Sequence, residues 1–409
     1  MGNFITSIKV NHIFHLENFC IPISENEKKH LIITGKNGSG KTILLNAIVE
    51  HLSKVCNDKT LSFLDYEKHL ESCRTRLQQY KVVGDSQKII SNQDSIELYK
   101  TWIEEVYGKV ELSFHDIYSI PKDFLSQDFI IAYYADERKS LFVEPKNPVK
   151  PDLKMKTDLK HNKVDQFLNF MVDCKVQEAL ARNEGKTEDA DYIRQWFVGF
   201  RNILRQIFDD TTLELDFNYK DYSFLIQTRG KSFKFTELSA GYSAALDIVA
   251  DLILKMQSQN NVVRAYEKEG IVLIDEIETH LHLELQRVIL PILTTIFPNI
   301  QFVVTTHSPF ILNSLENAVA FDLEHREPIE DLTDYEALAE GYFGVRTDSS
   351  EIQMRLQRME ELIRSDRLSI SDKSELEMYL QDFDKIPEAV APAIKAKYYD
   401  LKREWQNKN

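Results

Sequence analysis

Gly35, Gly38, Gly40, Lys41 and Thr42 are the residues of this chain whose types and spacing most plainly imply chemistry. They form Gly-x-x-x-x-Gly-Lys-Thr, directly after the apolar run Leu31, Ile32, Ile33 and directly before a helical apolar pattern at Leu44, Leu45 and Ile48. Strand, glycine-rich turn and helix start are the context a phosphate-binding loop requires. The glycines allow dihedrals closed to other residues, so backbone N–H groups of the loop and the helix start can approach a polyphosphate. Lys41 is expected to reach the β- and γ-phosphates and the Thr42 hydroxyl to hold Mg²⁺, with Asn37, Gly38, Ser39 and Gly40 lining the cradle. A glycine turn before an ordinary helix would explain the glycines, but not the strand, the lysine and the hydroxyl together. The pattern implies binding of a nucleoside triphosphate, with ATP and Mg²⁺ as the expected ligands.

A second constellation lies far along the chain. Residues 271–274 are apolar and end in Asp275 and Glu276, so a buried strand is expected to deliver two carboxylates at its C-terminal tip. Asp275 would hold Mg²⁺ and Glu276 would polarise the attacking water. The next apolar run, through Val303 and Val304, ends in Thr306, His307 and Ser308, and His307 could hydrogen-bond a γ-phosphate. Another run, Phe129–Tyr134, ends in a charged cluster that reads equally as a solvated loop or as placing Asp136 or Arg138 at a nucleotide or Mg²⁺. Near the N-terminus His12, Phe14 or His15 could lie against adenine, although each read singly is a core or turn residue.

Around these motifs the chain divides into stretches of different character. Residues 1–56 are a β-rich lead-in, the loop and its helix. Residues 57–109 are charged and mostly helical, with a break at Gly84, and read as an insertion. Strand character returns over 110–138. Residues 139–210 hold Pro145, Pro148, Pro151 and several lysines, then a helical hairpin. The lysines are a candidate contact for a phosphate backbone, but a solvated loop is the favoured reading. Residues 211–321 carry alternating strands, the stretch Leu238, Ser239, Ala240, Gly241, and both later motifs. Residues 322–409 read as a charged helical tail. With 409 residues and a net charge of −15, the chain has the composition of a globular protein and argues against indiscriminate coating of nucleic acid. Its four cysteines show no metal or disulfide spacing, and no apolar stretch is long enough to span a bilayer. No membrane association and a cytoplasmic location are therefore expected.

The order of motifs (the loop at 35–42, Leu238–Gly241, Asp275-Glu276, Thr306-His307-Ser308) resembles the ATPase heads of the ABC class, among them SMC, RecF-like and OLD-family ATPases. The resemblance implies an α/β head, a mixed sheet with an N-terminal β lobe, helical insertions and a C-terminal helical tail. It further implies a head-to-tail dimer, or a higher oligomer, in which Ser239 and Gly241 of one subunit meet the γ-phosphate held at Lys41 of the other. Glu276 through His282 with Gln286, and residues 335–345, are similar to compact OLD-like ATPases of bacterial anti-phage systems encoded beside an effector nuclease. The implied activity is ATP hydrolysis in a nucleotide switch, with an effector protein, DNA or RNA as partner. A DNA-repair ATPase, or a slow-hydrolysing scaffold that restrains a nuclease, is the alternative. Tyr242 stands where transporter ATPases carry Gln, His282-Leu283 stands where His-Pro is usual, and Gln127 precedes the strand that a Mg²⁺-sensing glutamine normally follows. No toprim-type acidic cluster follows residue 321, so nuclease activity in the same chain is not expected.

Overall fold

The apolar runs become interior strands in the computed structural model, which describes residues 2–137, 142–151, 159–257, 266–329, 350–365, 369–384 and 392–408. In chain order the first elements are β1 (Ile5–Ile13), β2 (Leu16–Pro22), β3 (His30–Thr34), α1 (Lys41–Asn57), α2 (Tyr66–Val83) and α3 (Ser86–Tyr107). Next come β4 (Val110–Phe114), α4 (Ile120–Ser126), β5 (Phe129–Tyr134), α5 (Phe167–Asn183), α6 (Thr187–Ile207), β6 (Glu214–Asn218), β7 (Ser223–Thr228) and β8 (Lys231–Lys234). They are followed by α7 (Ala240–Met256), β9 (Glu269–Ile274), α8 (Leu283–Ile296), β10 (Ile300–Thr305), α9 (Pro309–Leu312), β11 (Ala318–Asp322) and β12 (Glu327–Pro328). Among the described residues further along the chain are α10 (Ser350–Arg364), α11 (Ile370–Asp384) and α12 (Pro392–Lys408).

The central sheet has six strands in the order β12-β11-β3-β10-β9-β5. All pairings within it are parallel except the β11–β12 edge. Strands β3, β5 and β10 are buried at every position, as continuous apolar runs covered on both faces must be. One face packs on α1: Leu31, Ile33, Ile131, Ile271, Leu273 and Val303 share a core with Leu44, Leu45, Ile48 and Leu52. The same core takes in Ile8 and Val10 of β1, Ile21 of β2, and Val110 and Leu112 of β4, which form a separate antiparallel sheet in the order β2-β1-β4. Helix α1 thus lies between two sheets, and the alternate residues Ile32, Val272, Ile274, Phe302 and Val304 are buried against the other face.

The stretch expected as a helical insertion is the α2–α3 hairpin, broken at Gly84 in the left-handed region (φ 75°). Its root is fixed to α1 and β1. The last carbonyls of α3 lack intrahelical partners, and three of them accept from the head: Glu105 from Lys54 Nζ, Val106 from His51 Nδ1 (3.2 Å) and Tyr107 from Asn11 Nδ2 (2.7 Å). A third lobe combines α5 and α6 with the meander β6-β7-β8. It is held by aromatic contacts, with Trp196 stacked on Phe200 at 5.5 Å and Phe200 facing Phe235 at 6.4 Å.

Residues 322–329, expected to open the helical tail, instead complete the sheet: β12 pairs antiparallel with β11. A strand of two residues is too short for alternation to reveal it in the sequence. Helices α10–α12 fall in a second compact unit, Glu336–Asn409, with its own core of Leu356, Met359, Leu362, Phe383, Tyr398 and Leu401. Residues 335–345 lie outside the described residues.

Two buried histidines should make this fold sensitive to acid. Burial pushes both His30 and His51 down from the ordinary 6.5 to about 4, and His30 Nδ1 accepts from the Phe302 N–H at 3.1 Å, a role open only to the neutral ring. Because the folded-state pKa lies below the unfolded one, their contribution is complete above pH 6.5 and is lost as pH falls from 6.5 toward 4. Each is worth on the order of 1–3 kcal/mol across that window. The urea midpoint should therefore fall between pH 7 and pH 5. His51→Asn, which keeps a donor for Val106 but does not titrate, should flatten the fall; an unchanged pH slope in that variant would contradict this origin.

Candidate functional site

The parallel order of the sheet brings the motifs to one edge, because every parallel strand ends there. Thr34 ends β3 and leads into the glycine loop, Ile274 ends β9 and leads into Asp275 and Glu276, and Thr305 ends β10 and leads into Thr306 and His307. Backbone bonds carry the ladder one step past the strands: Thr306 N–H donates to Ile33 O (3.0 Å), Ile277 N–H to Thr305 O (3.1 Å), and Asp275 N–H to Tyr134 O (2.8 Å). Each loop therefore starts from a fixed point.

Helix α1 begins at Lys41, and Gly40 caps it with φ 99°. A side chain at Gly40 would be strained in that region and would also sit 2.9 Å from Leu16 Cδ1. The Lys41 ammonium is folded onto its own loop, donating to Gly35 O (2.8 Å) and Lys36 O (3.2 Å). Burial lowers its pKa, opposed by the charges of Glu276, Glu278, Asp275 and Asp322. Asn37, Gly38 and Thr42 are exposed at the loop's outer rim, whereas Ser39 is buried.

Three buried oxygens here have no hydrogen-bond partner among the described residues: Thr34 Oγ1, Ser39 Oγ and Asp275 Oδ2. Such atoms are rare in folded proteins because a buried unsatisfied polar group is costly. Asp275 is fully buried, and its other oxygen accepts from Thr305 Oγ1 at 2.5 Å. The same hydroxyl accepts from Glu276 N–H at 2.8 Å, which holds Glu276 in the left-handed region with φ 42°. Thr305 thus ties both carboxylate residues to the next strand, a role that only the three-dimensional pairing reveals.

His307 Nε2 lies 3.7 Å from Glu276 Oε1. Burial and then the Lys41 charge hold the imidazole below its ordinary pKa, with Asp275 opposing. Its loop is anchored by Glu278, which accepts from Thr306 Oγ1 (2.7 Å) and from His307 N–H. Burial raises the Glu278 pKa against those bonds. Gln286 of α8 accepts from Ser308 Oγ (2.7 Å) and donates to Leu281 O (2.8 Å). Glu278 and Gln286 therefore position the histidine loop, and their signal in the sequence was the extended carboxylate motif to which both belong.

Ser239 sits at the N-cap of α7 with its side chain exposed and uncapping. Gly241, by contrast, is buried, and a Cβ there would lie 2.9 Å from His280 O of the same chain. A packing requirement inside the chain accounts for this glycine. Tyr242 stacks on Phe208 at 4.1 Å and meets the edge of His282 at 5.3 Å, filling the position with an aromatic contact.

The N-terminal aromatic candidates separate. His15 Nε2 lies 3.1 Å from Ser39 O beside the glycine loop, and Phe14, at φ 53°, is 75% exposed at the same turn. His12 pairs with Glu17 at 3.0 Å and lines a cleft of about 360 Å³ with Glu50, Lys54 and Lys109. Asp136 is exposed and bonds the Glu137 N–H, and Arg138 lies outside the described residues. Gln127 caps α4 at the opposite end of β5. Among the described lysines of the proline-rich segment, Lys146, Lys150 and Lys160 are exposed, as the solvated reading expects, and Lys163 alone is buried; Lys160 also donates to Asn46 of α1 at 3.0 Å. Lys154 and Lys156 lie outside the described residues. Among the described residues, no group of three or more His, Cys, Asp or Glu side chains could hold a metal alone, and no helix is long and apolar enough to cross a membrane.

Comparison with known proteins adds a family. Residues 87–313, more than half of the chain, match the family described as "AAA domain, putative AbiEii toxin, Type IV TA system". The chain is 38% identical over 94 residues to the retron Ec83 probable ATPase of Escherichia coli, covering 23% of this chain and 17% of that protein. It is 41% identical over 97 residues to the Septu protein PtuA of Bacillus mycoides, covering 23% and 13%. With the retron Vc95 probable ATPase of Vibrio cholerae it shares 25% identity over 360 residues, covering 72% and 69%. The matched stretch thus spans less than a fifth of the first two relatives. Among solved structures, the SMC head domain from Thermotoga maritima aligns with a TM-score of 0.35 at 12% identity, covering 77% of this chain and 94% of that one.

The Thr305 arrangement predicts a stability result. Thr305→Val would leave the half-buried Glu276 N–H and the buried Asp275 Oδ1 without this partner, at a cost of about 1–3 kcal/mol for the buried carboxylate oxygen. Thr305→Ser retains the hydroxyl and should unfold in urea near the wild-type midpoint. Equal midpoints for the valine and wild-type chains would show that the hydroxyl does not hold the two carboxylate residues.

Proposed function

This chain belongs to the AbiEii-type AAA-domain family, and from that premise we propose that it is an ATP-binding and ATP-hydrolysing switch of the ABC head type. The observation that carries this reading is the set of unpartnered buried oxygens, on Thr34, Ser39 and Asp275, at the strand edge that also holds Lys41, Glu276 and His307. Such groups call for a partner supplied by ordered water, an ion or a ligand, and the gathering of three at this one edge suits a bound triphosphate and its cation. A triphosphate in the glycine loop offers oxygens to the loop N–H groups and to Lys41, which exchanges the Gly35 and Lys36 carbonyls for phosphate.

Asp275 and Thr42 are the residues that would hold Mg²⁺, and a single carboxylate and hydroxyl fit a cation that keeps phosphate and water as its other ligands. Bound there, Mg²⁺ supplies positive charge to the phosphate oxygens. Glu276 would accept the proton of the attacking water. His307, kept from its charged form by burial and by Lys41, would face the terminal phosphate as a hydrogen-bonding group. The exposed Phe14, on the turn where His15 contacts the loop, offers a face for adenine.

The α7 N-terminus, with exposed Ser239 and the aligned dipole of a long helix, suits the γ-phosphate of a second subunit. Two heads would then close head-to-tail around two ATP molecules. Relatives named as retron and Septu proteins, together with the likeness to compact OLD-like ATPases, support a role in anti-phage defence. In that role the ATP-closed state would govern an effector protein, such as a nuclease encoded nearby, or a nucleic acid.

Complementation between two inactive variants tests the shared site. Lys41→Ala lacks the phosphate lysine, and Ser239→Arg places a bulky cation where the second subunit must close. Each alone should lack ATPase activity. A heterodimer copurified from differently tagged chains keeps one wild-type Lys41 opposite one wild-type Ser239 and should recover about half of the wild-type rate. Normal hydrolysis by Ser239→Arg alone would contradict the shared site, and so would an inactive heterodimer.

A further inference from the structure

Helix α7 is buried along nearly its whole length, yet Asp247, Asp251 and Lys255 stand on it at intervals of four, on one face, at 2%, 0% and 7% exposure. Burying charge in an apolar setting is costly unless it is paired. Here the partners come from two places. Tyr134 Oη donates to Asp251 Oδ2 at 2.6 Å, and Lys255 Nζ bonds the same oxygen. The segment 159–164 supplies the rest: Lys163 N–H donates to Asp251 Oδ1 (2.8 Å), His161 O accepts from Lys255 Nζ (2.9 Å), and Asn162 Nδ2 donates to Asp247 Oδ2 (2.7 Å).

Both partners also reach the nucleotide edge. Tyr134 is the last residue of β5, and its carbonyl accepts the Asp275 N–H at 2.8 Å. One residue therefore holds the Asp275 backbone with its own backbone and α7 with its side chain. The segment 159–164 begins with Leu159 O, which accepts from Tyr133 N–H at 3.0 Å, and continues with Lys160 Nζ, which donates to Asn46 Oδ1 of α1 at 3.0 Å. Asn46 in turn donates to Thr42 O at 2.8 Å. A six-residue strap thus runs from the helix that follows the glycine loop to the helix that carries Ser239.

We infer that Tyr134 and the 159–164 strap are positioning elements that transmit nucleotide binding at Lys41 and Asp275 to the N-terminus of α7, setting Ser239 for the second subunit. The inference rests on the ATP-switch reading above and adds the route by which the site and α7 act together. Loss of these bonds should therefore spare ATP binding and impair turnover, a split that general destabilisation does not produce.

Two full-length variants test it. Tyr134→Phe removes only the hydroxyl and leaves Asp251 paired with Lys255, so the buried charge stays compensated. Asn162→Ala releases Asp247 from the strap. Binding of a fluorescent ATP analogue should stay within about twofold of wild type, while kcat falls about tenfold or more. Hydrogen exchange at the 240–243 amides should slow on addition of Mg²⁺-ATP in the wild-type chain and respond weakly in both variants. Wild-type kcat with a wild-type exchange response in both variants would overturn the inference, as would loss of ATP binding in proportion to kcat. Failure of the underlying reading shows separately, as a wild-type chain that neither binds nor hydrolyses ATP.

Discussion

A buried carboxylate oxygen without a partner is the constraint on which this structure turns. Asp275 sits at the tip of β9, with Thr305 satisfying one oxygen and no described residue satisfying the other. The surroundings are built to keep it there. Its N–H is held by Tyr134, its neighbour Glu276 is held by the same Thr305 hydroxyl, and Lys41 lies within electrostatic reach. Relieving the strain by turning Asp275 outward would break the step between β9 and its neighbours on both sides. On the reading proposed above, a phosphate-bound cation would complete that oxygen without moving the chain.

The same edge explains the division of labour among the lobes. The small antiparallel sheet backs α1, and its β1–β2 turn brings His15 to the glycine loop. The aromatic lobe of α5, α6 and β6–β8 holds Phe235, which fixes the chain just before Ser239. Between these parts runs a polar seam through the otherwise apolar α7. A hydrophobic helix would pack without direction, whereas Asp251 with its Tyr134, Lys163 and Lys255 partners admits one register.

How much of this was legible in the sequence follows the range of each interaction. The glycine loop was readable because strand, turn, lysine and helix are contiguous, and Asp275-Glu276 because an apolar run ended in two acids. The fold class came from the order of the motifs, whose resemblance to ABC-class heads implies an α/β head, and the continuous apolar run Phe129–Tyr134 agrees with a strand covered on both faces. Thr305 escaped because it acts across strands, at the end of a run in which it looked like one more β-former. The lysine-rich segment reads as solvated, and Lys146, Lys150 and Lys160 are exposed, but Lys163 is buried with its backbone N–H on Asp251 of α7, a contact that no local pattern encodes. One visible signal went unused: Asp247, Asp251 and Lys255, spaced by four in an apolar helix, are a pattern that chance and solvation do not favour. The glycine at 241, expected only to face a phosphate, has a packing reason in His280 of its own chain.

The claim that the strand edge is completed by a nucleotide and its cation is tested most directly by calorimetric titration of the full-length chain with ATP, with and without Mg²⁺. The account predicts saturable binding at one site per chain that Mg²⁺ strengthens, with Asp275→Asn losing most of the Mg²⁺ effect while retaining Mg²⁺-free binding. The absence of saturable ATP binding, or binding indifferent to Mg²⁺ in the wild-type chain, would contradict it.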